Sequence, residues 1–450
     1  MGAEGEKLNP IRFDRHAPDY RDRFSEITHD LHAKCPIAWT ETYGGHWVAS
    51  GYKEVFDIAR NATLLSNDHD VKGERKGYKG ISIPRPPGTE GQRGGFLEMD
   101  PPEQRDFRHA LDPYLSPAAV ARWKPMVEDL TRACLDEKVE SGRIDFVDDL
   151  ANIVPAVLTL ALMGLPLVDW VVYCEPAHAG VYTPPDSPDL PRVVEASIAM
   201  LTRLAESIVE VRNNPRPGMV NALIEASICG QPPTDDDIRD TLMLLIGGGF
   251  DTTTALTSHA LEWLSQNPGE RERLCTDLPG LLDSATEEFL RFYTPAPGDG
   301  RTVTRDYELS GRKLDEDDRL WLSWAMANRD QSIFPDPDTI KIDRKHNRHT
   351  SFGLGLHRCI GSNVARAVFK TMVTAVLERT PDYTCDPAGT VHYDTIGVIN
   401  GMKHLPATFT PGTRQGLGLD ETIARWQTSI DEERLAEPVI RASQSETTGD

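Results

Sequence analysis

Apolar positions recur at helical spacing through most of residues 100–290, and shorter strand-like runs stand on either side of that block. The strand-like runs are "IAWTETYGGHWVAS" near the start and stretches within 301–325 and 390–410. This order predicts a mainly α-helical protein with small β-sheets and no internal repeat. The most apolar segment is "IVPAVLTLALMGLPLVDWVVYC", 153–174. Pro155, Gly164, Pro166 and Asp169 break it below the ~20 uninterrupted residues that a membrane span needs. It reads as a buried core helix followed by a turn. Residues 234–266 read as one helix of roughly 48 Å at ~1.5 Å per residue. Thr234 is its N-cap, Asp235–Asp237 suit its dipole, and Asn267-Pro268-Gly269 stop it.

Three loop-rich stretches punctuate the pattern: "PRPPGTEGQRGGF" (84–96), "TPPDSPDLPR" (183–192) and "YTPAPGDGR" (293–301). Each is either part of a substrate enclosure or a plain surface connection. After "FTPG" at 409–412 the chain becomes acidic. The expected organisation is therefore one catalytic domain over 1–412 and an extension over 413–450. Ile423, Trp426 and Ile430 share a helical face there, so the extension is read either as a docking helix or as disordered.

Charge narrows the partners. The 450 residues carry 70 acids against 48 Lys plus Arg, a formal −22, which argues against nucleic acid and against an anionic membrane surface. The N-terminus, "MGAEGEKLNPIRFDRH", has no apolar core and is read as neither signal peptide nor anchor. Seven cysteines, at 35, 134, 174, 229, 275, 359 and 385, show no short metal-type spacing. An odd number without a secretion signal predicts a reduced, cytoplasmic protein.

Candidate chemistry lies in four places. Gly247, Gly248 and Gly249 interrupt the 234–266 helix at about 1 kcal/mol each relative to Ala. Asp251 and Thr252 follow at once. The glycines serve either close helix packing or a large flat ligand, with Asp251 and Thr252 supplying protons and hydrogen bonds. In "EEFLR", Glu288 and Arg291 share a helix face, and Arg344 would complete a structural ion cluster. Seven Lys or Arg stand against one acid across 341–370, and Lys345, Arg348, Arg358 and Arg366 are candidates for docking an acidic partner. Finally, "SFGLGLHRCIG" (351–361) sets Cys359 at the start of an apolar helix, where N–H groups and the dipole favour a thiolate. Zinc would need more ligands than His357, a nucleophile would need a better-directed base, and an inert Cys would not require the glycines. An iron–thiolate bond fits the sheltered sulfur, close backbone and nearby cations.

"FGLGLHRCIG" resembles the haem-binding loop of the cytochrome P450 superfamily, "GGFDT" its oxygen-activating helix, "EEFLR" its Glu-x-x-Arg helix and "FPDPDTIKIDR" its meander. The resemblance spans roughly 10–412 and is to soluble bacterial members. It implies the cytochrome P450 fold, haem b (iron protoporphyrin IX) and Cys359 as its axial thiolate. Phe352, Gly353, Gly361, Gly248 and Gly249 would adjoin the haem, and His357, Arg301 and Arg108 would hold its propionates with Asp299 joining them. "DPPEQRDFR" departs from the family's pattern by putting Gln104 where a histidine is usual, and an amide donor would substitute there. The implied reaction inserts one oxygen atom from O2 into a C–H or C=C bond of a hydrophobic small molecule, Asp251 and Thr252 directing protons. Oxidative coupling, desaturation or isomerisation on the same cofactor is the alternative, and a haem sensor is disfavoured by the acid–alcohol pair. Electrons would come from NAD(P)H through a reductase and an acidic iron–sulfur ferredoxin. Leu244, Pro297, Gly298, Val398 and Ile399 are the expected substrate contacts.

Overall fold

The computed structural model describes residues 10–75, 77–86, 89–183, 187–433 and 435–439. The helices that build the site are α1 (Glu103–Leu115), α2 (Lys124–Asp136), α3 (Ile153–Met163), α4 (Trp170–Tyr182), α5 (Leu190–Asn213), α6 (Asp235–Gly249), α7 (Asp251–Gln266), α8 (Leu278–Tyr293), α9 (Ser362–Arg379) and α10 (Leu419–Glu433).

The apolar segment that opens at 153 becomes α3, and all 11 of its residues are buried. Gly164 ends it at φ +76°, where a Cβ would lie 2.4 Å from the Pro217 carbonyl oxygen, so only glycine makes this turn. Helix α3 packs against α2, α4 and α6, while α9 packs against α2, α7 and α8. Burial on every side explains why α3 has no polar face. No helix among the described residues is long and apolar enough to cross a membrane.

The single long helix expected at 234–266 is two helices meeting at Phe250, whose ψ is −78°. Its start follows the sequence reading: the Thr234 hydroxyl accepts from the Asp237 amide, and the Asp237 carboxylate accepts from the Thr234 amide. The break falls where three glycines weaken the helix and threonine hydroxyls compete for carbonyls. Thr252 Oγ1 donates to the Gly248 carbonyl at 2.8 Å, and Thr254 Oγ1 donates to Ala151 and Phe250.

Beside the helices lies a five-stranded sheet in the order β1-β2-β5-β4-β3, from β1 (Ile37–Thr40), β2 (His46–Ala49), β3 (Leu65–Ser66), β4 (Gly298–Val303) and β5 (Arg319–Ser323). The β2–β5 pair is parallel and the rest are antiparallel. Register sets Arg301 opposite Leu320 and Asp299 opposite Leu322, so Asp299 and Arg301 point to one face.

The extension docks through α10. Ile423 and Ile430 are buried, and the Trp426 indole N–H donates to Asp129 on α2 at 3.0 Å. Gln427 accepts from the Leu167 amide, and the Val439 amide donates to the Pro113 carbonyl. Residues 440–450 lie outside the described residues.

Candidate functional site

The break between α6 and α7 forms one wall of a deep cavity, and the loop leading into α9 forms the facing wall. Gly248, Gly249, Thr252 and Thr253 line the first; Phe352, Gly353, His357, Cys359, Ile360 and Gly361 line the second. Counted out to its mouth, the cavity measures about 1370 Å³. A Cβ on Gly248 would meet nothing within 4 Å, so this wall lies open to a flat ligand, whereas one on Gly249 would press on Thr159 at 2.7 Å. The Cys359 loop is shaped by its own backbone. The Cys359 amide donates to the Phe352 carbonyl at 2.7 Å, and Gly355, at φ +71°, packs where a Cβ would stand 2.3 Å from the Ala59 carbonyl oxygen.

Cys359 is exposed only toward this cavity; elsewhere protein crowds it. The helix N-terminus favours a thiolate as expected, through the Gly361 amide, but burial works against it. Burial pushes the thiol up, and the Gly361 amide with Arg358, Arg108 and Arg366 offsets only part of that. A metal cation that takes the sulfur must therefore displace its proton.

Beside the sulfur is a basic corner. Both ring nitrogens of His357 are buried without a hydrogen-bond partner. Burial, then the charges of Arg301 and Arg108, push this imidazole down to about 3. Arg301 is 2% exposed, bonds only the Gly300 carbonyl among the described residues, and is itself lowered by burial. Arg108 is lowered likewise and donates to the Arg358 carbonyl at 2.9 Å. Buried donors with spare N–H groups beside an open flat wall and a soft sulfur fit a planar, iron-bearing group with carboxylate substituents.

Two expected propionate contacts make other hydrogen bonds. Asp299 does line the cavity, but as a carboxylate it would repel another, and it accepts from the Trp324 indole at 3.0 Å instead. Gln104 is buried outside the cavity wall, and its amide donates to the Leu356 carbonyl at 2.9 Å. It braces the cysteine loop rather than reaching a ligand. Of the substrate contacts, Leu244 lines the cavity together with Phe96, Leu97, Leu162, Met219 and Leu245. Pro297, Gly298, Val398 and Ile399 do not; Pro295 and Ala296 take the place expected for the first two. Gly298 is held in β4 opposite Ser323, and Val398 is 56% exposed. Of the three loop-rich stretches, the first contributes Phe96 and the third contributes Pro295, Ala296 and Asp299; described residues of 183–192 contribute none.

Thr252 faces the cavity, but Asp251 points away from it and is 2% exposed. Its partners are His178 and Tyr393, which sequence reading did not single out. They stand 73 and 142 positions away, and a lone histidine on an apolar helix carries no local signal.

Below the cysteine loop, Glu288 receives Arg291 through two hydrogen bonds of 2.8 Å and the Arg344 Nε at 2.8 Å. The Asn347 amide and the Lys341 backbone N–H complete it. The basic segment is smaller than its sequence implies. Arg344 belongs to this cluster, Arg366 grips Glu287 with two bonds, Lys341 pairs with Asp336 and Lys370 with Asp283. Lys345, Arg348 and Arg358 are exposed and carry no ion pair among the described residues.

Residues 187–380 match the family model for cytochrome P450. The chain is 29% identical over 378 residues to a methyl-branched lipid omega-hydroxylase of Mycobacterium tuberculosis, covering 81% of this chain and 84% of that one. It is 29% identical over 374 residues to a steroid C26-monooxygenase of Mycolicibacterium smegmatis, covering 81% and 87%. A Mycobacterium marinum cytochrome P450 solved with pseudoionone superposes with a TM-score of 0.80 at 23% identity, over 89% of this chain and 99% of that one. The mainly helical fold, the cysteine loop facing a broken helix and these relationships agree: the chain belongs to the cytochrome P450 superfamily and is an oxidoreductase of its haem-iron monooxygenase type.

Proposed function

We propose that the protein uses haem b, ligated by Cys359, to insert one oxygen atom from O2 into an aliphatic, hydrophobic small molecule. The observation that carries this is Cys359 facing Gly248 and Thr252 across the cavity with the unpartnered His357 beside it. When bound, the haem supplies the redox activation of dioxygen. His357 and Arg108 would hold its carboxylates from the cavity wall, and Arg301, outside the lining but close enough to act on His357, would add positive charge. Thr252 presents its hydroxyl at the bend, and Asp251 supplies protons to it. Leu244, Leu245, Leu162 and Met219 exclude water and select apolar substrates. The relatives' names, a lipid omega-hydroxylase and a steroid C26-monooxygenase, support hydroxylation of an aliphatic chain. The catalytic unit spans 1–412, with α10 of the extension 413–450 packed on it, and seven free cysteines support a reducing cytoplasmic setting.

The reduced, carbon-monoxide-bound holoprotein is expected to show the strongly red-shifted Soret band of thiolate ligation. A band typical of histidine ligation would overturn the assignment of Cys359.

Electrons enter from an acidic ferredoxin, reduced by its NAD(P)H-dependent reductase, that docks around Lys345, Arg348 and Arg358. These three cations are exposed, and so is Leu356 on the cysteine loop beside Arg358. Reversing charge at Arg348 and Arg358 together is expected to slow the first electron transfer at least ~10-fold at low salt, with substrate affinity unchanged. Stopped-flow reduction rates equal to wild type would remove this face from consideration.

A further inference from the structure

The surroundings of Asp251 exceed what a cavity-side proton donor needs. Its Oδ1 accepts a hydrogen bond of 2.7 Å from the Tyr393 hydroxyl and lies 2.7 Å from His178 Nδ1, which donates to it in the tautomer protonated there. Among the described residues its Oδ2, which is buried, has no partner. His178, on α4, is 8% exposed, and its Nε2 is likewise buried without a partner. The Tyr393 oxygen lies 2.7 Å from Asp251 Oδ1 and 3.0 Å from His178 Nδ1, so one hydroxyl proton can serve either atom. Among the described residues, the other titratable and charged groups around this cluster are Cys174, Glu175 and Tyr182 on α4, Arg192 on α5, Asp148 with its partner His404, and Lys403. The Tyr182 ring covers both His178 and Tyr393 at centroid distances of 5.2 and 5.1 Å.

A cluster that merely tied α4 to α7 would be expected to satisfy both carboxylate oxygens, because leaving one buried and unpaired costs about 1–3 kcal/mol. Here both donors crowd one oxygen and leave free a carboxylate oxygen and an imidazole nitrogen, the two ends of a path.

We propose that His178 and Tyr393 form the outer leg of the proton path: His178 takes a proton at Nε2 and yields the one on Nδ1 to Asp251, and Tyr393 then releases the acid toward Thr252. This rests on the reading of Asp251 as the proton donor. The balance is one proton in and one out. The N–H bond at Nδ1 breaks as the O–H bond on Asp251 forms, and the Tyr393 hydroxyl turns to donate to the vacated Nδ1. The neutral carboxyl group, no longer held by two donors, swings toward the cavity and gives up its proton there. The proton that enters Nε2, and the one that leaves it in the reset, are exchanged with a water molecule that must reach this buried nitrogen, and uptake of one proton at Nδ1 restores the starting imidazole. His178 and Tyr393 touch no substrate and are positioning residues acting through Asp251.

Two measurements test this. Nitrogen-15 NMR of histidine-labelled, reduced, carbon-monoxide-bound holoprotein is expected to show His178 protonated at Nδ1; protonation at Nε2 alone would overturn the proposal and requires no variant. In the second, oxygen consumption is driven by NADPH through a plant ferredoxin and its reductase in H2O and in D2O. His178→Asn keeps one donor but has no second nitrogen. It is expected to slow consumption by about 10- to 100-fold and raise the solvent isotope effect, with the carbon-monoxide band unchanged. A rate and isotope effect within about twofold of wild type would overturn the relay. Asp251→Asn separates the two readings: if it is slow while His178→Asn is not, only this inference fails. If neither is slow, the role given to Asp251 falls as well.

Discussion

Replacing Cys359 with Ser is expected to abolish oxygenation by at least ~10³-fold, about 4 kcal/mol on the barrier, while leaving the protein folded. The two halves of that expectation have different origins. Folding should persist because Cys359 faces the cavity and is not part of the buried core, while its amide still donates to Phe352 and Gly355 still makes its turn. Activity should vanish because, with haem bound, a Cys359 thiolate would be a far stronger electron donor to its iron than a serine oxygen and would supply the push that activation of dioxygen requires. The basic corner of His357, Arg108 and Arg301 is unchanged by this substitution, so haem retention is weakened and not lost. Product formation, the carbon-monoxide spectrum and the thermal midpoint read these effects separately. A serine variant within tenfold of wild-type turnover would refute the proposed ligand.

Glu288→Ala is expected to be the most destabilising single substitution away from the cavity, at about 3–5 kcal/mol. Glu288 and Arg291 have side chains that are 0% exposed, and Arg344 is 7% exposed. Arg291 also donates to the carbonyls of Asn328, Pro337 and Thr339, so the cluster ties α8 to the segment leading to the cysteine loop. Removing the carboxylate leaves two guanidinium groups without their counter-ion in a buried site. Burial alone would push Glu288 up, but the hydrogen bonds and charges of Arg291 and Arg344 and the Lys341 amide hold it below its ordinary value. Neighbouring Glu287, bonded by Arg366 and His349 against the same burial penalty, is lowered to about 2. A lowered carboxylate contributes stability that is present above its unfolded value near 4.5 and is lost as pH falls through the folded value. The wild type should therefore lose stability between about pH 4.5 and 2, and Glu288→Ala should show a shallower fall. Urea midpoints across that range measure both effects; a loss below ~1 kcal/mol at neutral pH would show that the cluster is not a structural anchor.

Much of the site was legible because its chemistry is local. Four short motifs each hold their residues within a few positions, so backbone geometry alone brings Cys359, His357 and Gly361 together, or Gly248 and Thr252. The same locality made α3 and the Thr234 cap readable. Other features depend on what stands opposite. Gln104 bonds Leu356 across 252 positions, and Asp299 finds Trp324 across the sheet, so neither assignment could come from its own segment. The basic run over 341–370 looked like one surface because sequence does not show that Glu288, Glu287, Asp336 and Asp283 neutralise four of its members.

By itself the sequence determined the helical order, the motif set and hence the resemblance to the family, since each follows from spacing, backbone propensity and short local motifs. Tertiary structure alone decided the break at Phe250, the net effect of burial on Cys359, which aliphatic residues line the cavity, and the pairing of Asp251 with His178 and Tyr393. Those depend on desolvation and on contacts between distant segments, which are set by packing in three dimensions and not by neighbours along the chain.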